Sequence, residues 1–235
     1  MARWPRAARL LNLPVGSRVL DLGCAFGFGT RYLVPRYGAF GHDLDATSIA
    51  RARNLSSGIV FTEGPADHVP YPDGWFQGVL LLDVLEHVPD EGAVIAEIAR
   101  VLRPGGRLIL SVPNKGILAA LDSLNVYRLL VGPAAPVPTD DPSWPAVRQH
   151  RHYSYKNIEN LLGPAFCLRA ACYTGLGIAE PVNLFLLLLL RWLLRAPRIY
   201  ALVQYLYFGV YLAEDYLPAG RWGYHLMVVA ERNTD

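Results

Sequence analysis

The chain has few cysteines, no block of like charge and no sustained apolar run near its beginning, and each shortage excludes a class of protein. The three cysteines are odd in number and lack metal-ligand spacing. We therefore expect reduced thiols in a cytoplasmic protein, with no disulfide framework and no metal site. A formal net charge of only +2 disfavours an extended nucleic-acid interface. Because Asn12 and Pro14 interrupt the first apolar stretch, no secretory signal is expected.

Strand-like and helix-like segments alternate along the chain, which is typical of βαβ units. A length of 235 residues suits one α/β core, so we predict a single domain over residues 1–235 with a doubly wound, mostly parallel sheet. Thr47 or Ser48 is expected to cap the second helix, and Ser154 a later one. The predicted strands are residues 19–21, 39–43, 59–62, 78–82, 107–112, 166–173 and 224–230, and the predicted helices are 30–37, 47–54 and 91–102.

Two carboxylates end neighbouring apolar runs. Asp21 follows the first run and opens a glycine-rich turn, and Asp43 ends the next run. In a doubly wound sheet, such a turn and an acid on the next strand can hold a nucleoside. An acid precedes the first glycine here, which favours a ligand with a positive amino or sulfonium group over a pyrophosphate. The alternative is that both acids only cap turns.

Residues 18–114 resemble a class I S-adenosylmethionine (SAM) dependent methyltransferase, and within that class the small-molecule enzymes related to quinone biosynthesis. Five segments carry the resemblance in the family's order: VLDLGC (19–24), GHDLD (41–45), VPYPDGWF (69–76), VLEHV (84–88) and VLRPGGRLIL (101–110). The resemblance implies a Rossmann-like sheet of seven strands, the last two forming an antiparallel hairpin at its edge. It also implies SAM as the cofactor and S-adenosylhomocysteine as the product.

The resemblance assigns Asp21 to the ammonium group of the cofactor and Asp43 to its ribose hydroxyls. The full set of expected cofactor-binding residues is Asp21, Gly23, Cys24, Gly27, Asp43, Leu44, Ala66, Asp67 and Leu82.

The chain departs from the family pattern at three positions. Ala25 stands where glycine is usual, which is tolerable if its φ is negative. Pro65 stands where an acid near the adenine is usual, so we expect Asp67 to take over, with the Ala66 amide facing the ring. Gln77 replaces an acid before the fourth strand, at little expected cost.

His87, in the fourth segment, is the candidate general base, because imidazole titrates near neutrality. The alternative is a histidine at a helix start that bonds only to backbone. The candidate acceptor-lining residues are Asn114, His150, His152 and Tyr153. For the two nearby histidines, capping, packing or metal binding are alternatives, although no third metal ligand stands out.

Residues 174–223 form an apolar insertion between the last two predicted strands. As a helix, its first run, residues 182–194, would be roughly 20 Å long, short of the roughly 30 Å hydrocarbon core of a bilayer. Arg191, Arg195 and Arg198 share one helical face. The alternatives are a lid or membrane-facing element, a packing or homodimer element, and a spanning hairpin. With the proline-rich loop at 117–152, the insertion is the expected acceptor pocket.

We therefore predict an enzyme that transfers a methyl group from SAM to a small, lipophilic acceptor, with O-methylation favoured because a histidine base is at hand. One alternative is a membrane-associated methyltransferase for a lipid-linked acceptor, bound peripherally at the inner face of the membrane through residues 182–217. Another is an inactive methyltransferase fold that serves as a scaffold or partner subunit.

Overall fold

The computed structural model describes residues 3–116, 119, 151–175, 177, 179–196, 198–199, 202–203, 209, 213–214, 220 and 223–234. The strands are β1 (Arg18–Leu22), β2 (Gly38–Asp43), β3 (Val60–Glu63), β4 (Phe76–Leu82), β5 (Leu102–Pro113), β6 (Phe166–Thr174) and β7 (His225–Arg232). The helices are α1 (Arg3–Leu11), α2 (Ala46–Leu55), α3 (Glu91–Val101), α4 (Tyr155–Leu162) and α5 (Ala179–Leu186), which continues as a π-helix over Leu187–Leu193.

The strands form one seven-stranded sheet in the order β3-β2-β1-β4-β5-β7-β6. Strands β1 to β5 run parallel, and β7 is antiparallel to both of its neighbours. This topology confirms the predicted fold class, including the hairpin at the edge. The strand order reverses between β1 and β4, and ligands of open α/β sheets bind outside the carboxyl ends of the strands at such a point.

Strand β4 shows why the sheet is buried on both sides. Val79 and Leu81 pack into a cluster that includes residues of α3 and α4, whereas Leu80 and Leu82 pack into a second cluster with α1. Alternate side chains of a strand point to opposite faces, so a continuous apolar run serves two layers of helices. Full burial of each such leucine is worth about 1.5–3 kcal/mol.

Besides shifts of one or two residues at the ends of elements, three features differ from the predictions. The predicted helix 30–37 is only a 3-10 turn over Thr30–Tyr32, because Pro35 cannot continue a helical ladder. The cap of α2 is Asp45, whose side chain accepts from the amides of Thr47 and Ser48, so the prediction that either of those two residues caps the helix was wrong.

The third difference lies at the junction of α3 and β5. The helix ends at Val101, and the strand already begins at Leu102, which pairs with Phe76 of β4. The prediction for the start of α4 is confirmed, because Ser154 and Asn157 form a reciprocal capping box.

The apolar insertion leaves and re-enters the sheet at one place. Thr174, the last residue of β6, pairs with His225, the first of β7, and His225 pairs with Pro113 at the end of β5. Both ends of the insertion therefore lie at the carboxyl edge of the parallel strands. Most of residues 197–222 and nearly all of the proline-rich loop lie outside the described residues. Within the described part of the chain, no helix has the length and apolar character to span a bilayer.

Candidate active site

Asp21 lies at the end of β1 and is almost completely buried. Its carboxylate accepts a hydrogen bond from the Thr30 hydroxyl at 2.7 Å. Burial raises the pKa of Asp21, the Thr30 hydrogen bond lowers it and the nearby charge of Asp43 raises it, and the net value is about 6. A buried carboxylate without a cation is costly, and the site therefore suits a positively charged group of a ligand.

Asp43 lies at the end of β2 and holds the glycine-rich loop in place. One carboxylate oxygen accepts from the Ala25 amide at 2.7 Å, and the other from the Asp45 amide at 3.0 Å. Each carboxylate oxygen has two lone pairs, so Asp43 retains the capacity to accept from two ligand hydroxyls. The same side chain can thus position the loop and bind a ribose.

The glycines of the loop meet two demands. The amides of Gly23 and Cys24 donate to the His42 carbonyl at 2.7 and 3.2 Å, which folds the loop over the end of β2. Gly23 has a φ of +81°, and a Cβ there would lie 2.1 Å from a methyl of Val84. At Gly27, φ is +72° and a Cβ would lie 2.7 Å from the Phe61 ring. Backbone conformation and neighbouring side chains both require glycine here.

Ala25 adopts a φ of +45°, so the condition of a negative φ is not met. The left-handed conformation costs an L-residue about 1–2 kcal/mol. In this conformation the Ala25 amide donates a hydrogen bond to the Asp43 carboxylate. The missing glycine therefore places a strained residue against the ribose-binding candidate.

His42 supports the turn that carries the adenine candidates. It is fully buried, its Nδ1 lies 2.8 Å from the Thr62 hydroxyl, and its Nε2 lies 3.2 Å from the Pro65 carbonyl. Burial lowers the pKa of His42, which favours the neutral ring. Beyond the turn, Ala66 is half-buried and Asp67 is exposed, and their contact with adenine stays a prediction.

The segment after β4, residues 83–88, carries His87. Asp83 begins it with a φ of +57°. The Asp83 amide donates to the Ser111 carbonyl at 2.9 Å, its carboxylate accepts from the Ser111 hydroxyl at 3.2 Å, and it forms an ion pair with the buried Arg3 of α1. His87 Nε2 lies 3.9 Å from a carboxylate oxygen of the buried Glu86. His87 lies in a turn and α3 begins only at Glu91, so the expected helix start lies beyond His87. Its role as a general base or as a structural residue stays a prediction.

Arg151 and Tyr153 hold this segment from the other side. The Arg151 guanidinium donates to the carbonyls of Leu85, at 2.9 Å, and Val88, and it pairs with the Glu91 carboxylate at 3.0 Å. The Tyr153 hydroxyl donates to Glu91 at 2.7 Å, and burial raises the pKa of Tyr153. Tyr153 is buried in the core cluster, so its described contacts are structural, and its acceptor role stays a prediction.

The remaining candidates fall on the same edge. Asn114 follows β5; its amide donates to the Tyr224 carbonyl at 2.6 Å and its side chain to the Gly223 carbonyl at 2.8 Å. His152 lies edge-on to Tyr224 at 6.2 Å between ring centroids, whereas His150 lies outside the described residues. Of the cofactor candidates, Leu82 and Cys24 are buried and Leu44 is 54% exposed. Among described side chains, no cluster suited to a metal ion is found.

Sequence reasoning missed Arg3, Thr30, His42, Asp83 and Arg151. Thr30 lies only nine residues from Asp21, to which it donates a hydrogen bond. The hydroxyl residue that follows the glycine-rich turn could have indicated this contact. The contacts of Arg3 and Arg151 span 80 and 66 residues, and no local sequence pattern predicts contacts at such separations.

Two acids lie at the ends of β1 and β2, and a glycine-rich loop joins these ends at the switch point of the sheet. This arrangement suits a nucleoside that also carries a positive charge. The family model described as a methyltransferase domain matches residues 20–110. This part of the chain is therefore similar to the class I SAM-dependent methyltransferases, and SAM is the cofactor of that class.

Among curated relatives, the chain is similar to the 27-O-demethylrifamycin SV methyltransferase of Amycolatopsis mediterranei, with 34% identity over 58% of this chain and 54% of that enzyme. It is also similar to the ubiquinone biosynthesis O-methyltransferase of Xanthomonas axonopodis, with 36% identity over 50% of this chain and 53% of that enzyme. The chain thus spans about half the length of these relatives. Among solved structures, it resembles an S-adenosylmethionine dependent methyltransferase from Mesorhizobium loti, with a TM-score of 0.59 and 19% identity over 99% of this chain and 98% of that one.

Proposed function

We propose that this protein transfers the methyl group of SAM to a small, lipophilic acceptor, with a hydroxyl oxygen as the favoured site of methylation. The observation that carries the proposal is the pair Asp21 and Asp43. The first is a buried carboxylate whose pKa is raised to about 6, and the second holds the loop beside it. This arrangement suits a ligand that brings its own positive charge and its own hydroxyl groups.

The residues present fit SAM by their chemistry. Asp21 would accept from the ammonium group, and Asp43 from the ribose hydroxyls. Cys24, Leu44 and Leu82 would pack around the ligand, with Ala66 and Asp67 near the adenine. When bound, SAM supplies an electrophilic methyl carbon on a positively charged sulfur.

His87 would remove the acceptor proton. With SAM bound, the acceptor oxygen would take the methyl group and S-adenosylhomocysteine would leave, so the acceptor would have to lose its hydroxyl proton. The hydroxyl proton would pass to the imidazole of His87. Proton removal by a positioned general base contributes about 10²–10⁴-fold to the rate. Arg151 and Tyr153 fix the backbone on either side of His87 by binding the Leu85 carbonyl and Glu91.

The nature of the acceptor is inferred from two observations. The relatives bear the names of O-methyltransferases for ubiquinone biosynthesis and tocopherol, and of a methyltransferase for 27-O-demethylrifamycin SV. The apolar insertion joins the sheet at the carboxyl edge, where the acceptor must meet the methyl group. Both observations favour an apolar molecule that carries a hydroxyl.

The test is transfer of labelled methyl from SAM to a panel of acceptors, matched in their phenolic group and differing in the length of an apolar tail. We expect solvent-extractable label that increases with tail length, and no label with Asp21→Ala. Label on short, polar phenols alone would contradict a lipophilic acceptor.

The second candidate is an inactive fold that serves as a partner subunit. It is favoured by the strained Ala25 and by Pro65 at the adenine position. SAM binding without transfer to any acceptor would support this candidate, and so would failure of a folded sample to bind SAM.

A further inference from the structure

We propose that the apolar insertion docks the protein on an anionic lipid surface and brings the mouth of the active site against that surface. The insertion face is defined here as the described residues of 179–203. The purpose of docking, access to a membrane-dissolved acceptor, rests on the proposed function. The docking itself does not, and it can be measured without turnover.

The first observation is the exposure of large apolar side chains. Scattered exposed apolar residues are ordinary on a protein surface, but a concentration of them marks an interaction site. Within the insertion face, the exposed fractions reach 62% at Phe185, 64% at Leu193 and 71% at Leu202. The other large apolar residues exposed there are Val182, Leu194 and Ile199.

The second observation is charge. Residues 179–203 contain three arginines, one glutamate at the start of the helix, and no aspartate or lysine, in a chain with almost equal numbers of acidic and basic residues. Arg195 and Arg198 are exposed, and they lie beside the exposed Leu194 and Ile199 in sequence. Apolar side chains mixed with an excess of arginine complement an anionic lipid surface better than they complement a second copy of the same cationic face.

The third observation is length. Helix α5 and its π-helical continuation cover Ala179–Leu193. Fifteen residues at the α-helical rise span about 22 Å, less than the roughly 30 Å hydrocarbon core. A helix of this length that exposes Val182, Phe185 and Leu193 suits the plane of the interface.

The fourth observation is placement. The insertion starts after Thr174 and returns at His225, and these two residues pair at the level of Pro113. Asn114 binds the carbonyls of Gly223 and Tyr224, which fastens the returning chain to the end of β5. A lipid surface under the insertion therefore faces the carboxyl edge, where Asp21, Asp43 and the His87 segment lie.

The experiment is flotation of the full chain with vesicles of neutral phosphatidylcholine, alone or with about one third phosphatidylglycerol. We expect binding to the anionic vesicles that weakens in high salt. Arg195→Glu with Arg198→Glu should reduce binding at least about tenfold, since each basic residue near an anionic surface is worth about 1 kcal/mol. Leu193→Ser with Leu194→Ser should reduce binding to both kinds of vesicle.

Matched controls lie at the opposite, amino edge of the sheet. Arg36→Glu with Arg103→Glu makes the same change in net charge, and Val15→Ser with Leu55→Ser removes apolar groups of comparable exposure. Both controls should bind vesicles like the original protein. All four variants should keep their SAM affinity, which separates loss of docking from loss of the fold or of the methyltransferase site.

Three results would overturn the proposal. The first is absence of vesicle binding by a folded protein. The second is equal weakening by the insertion variants and the controls. The third is a stable dimer in sedimentation that Leu193→Ser with Leu194→Ser dissociates, because the face would then be covered by a second copy.

Discussion

The two halves of the carboxyl edge hold their functional side chains by contacts of very different range. Around β1 and β2, Asp21 binds Thr30 nine residues away, and Asp43 binds the Ala25 amide eighteen residues away. Around β4, β5 and β7, Asp83 binds Arg3 and Asn114 binds Gly223, at separations of 80 and 109 residues. The first half, proposed to bind the cofactor and called the cofactor half here, is thus a local motif. The second, proposed to bind the acceptor and called the acceptor half, is assembled from distant parts of the chain.

This difference in range separates the residues proposed to bind the cofactor from those proposed to act on the acceptor. We infer that the local half binds the cofactor and that the long-range half positions the acceptor. Variants in the first half should therefore change cofactor affinity, and variants in the second should change turnover.

The largest expected effect is in the acceptor half. His87→Ala should lower kcat about 100-fold or more, because general-base catalysis contributes at least that much. The affinity for SAM should stay unchanged in calorimetry. His68→Ala, which removes an exposed imidazole, is the control and should keep full turnover. Wild-type turnover in His87→Ala would assign His87 a structural role.

Next is Asp43→Ala, which should weaken SAM binding on the order of 100-fold. Two charge-assisted hydrogen bonds of about 1.5 kcal/mol each are lost, and the Ala25 amide loses its acceptor. The control is Asp73→Ala, a carboxylate whose side chain is 81% exposed. Unchanged affinity in Asp43→Ala would refute the ribose assignment.

A smaller effect is expected from pH. Asp21 has its pKa raised from 3.8 to about 6, so in the free protein it becomes protonated as the pH falls below 6. Binding of a cationic ligand requires the carboxylate, and affinity should fall about fivefold between pH 6 and pH 5. Asp21→Asn should bind weakly and independently of pH over this range. Equal pH dependence in both proteins would place the ammonium elsewhere.

Asp21→Asn should also change stability in a direction fixed by the same shift. A raised carboxyl pKa means that the folded state disfavours the ionised form of Asp21. The resulting loss of folding free energy is absent below the ordinary carboxyl pKa of 3.8 and is complete well above pH 6. The variant should unfold at a higher denaturant concentration than the original protein at pH 8, and the advantage should vanish near pH 4.

The smallest effect concerns Ala25. Ala25→Gly should raise the free energy of unfolding by up to about 1 kcal/mol, because relief of the left-handed strain exceeds the entropy cost of glycine. Ala50→Gly, the same change inside α2, should lower it by about 1 kcal/mol. Denaturant unfolding of both variants decides the point. A loss of stability in Ala25→Gly would contradict the strain.

What could be predicted from the sequence follows the same division. The acids that end β1 and β2 and the apolar run of β4 could be placed, because each is a local pattern with a period or a turn. The cap of α2 could not, since Asp45, Thr47 and Ser48 all have capping side chains and only the start of the helix decides among them.

The support of the His87 segment could not be predicted, because Arg3, Ser111 and Arg151 meet it only in the folded sheet. The positive φ of Ala25 also could not be predicted from the sequence. Alanine favours negative φ, and the Asp43 contact that accompanies the opposite sign is tertiary.

The central claim is that the Asp21–Asp43 half binds SAM. Calorimetric titration of the folded protein with SAM and with S-adenosylhomocysteine tests it most directly. The account predicts micromolar binding of both ligands, each weakened by Asp43→Ala and unaffected by His87→Ala. Absence of binding to a folded sample would contradict it, and would mean that Ala25 and Pro65 have disabled the cofactor site.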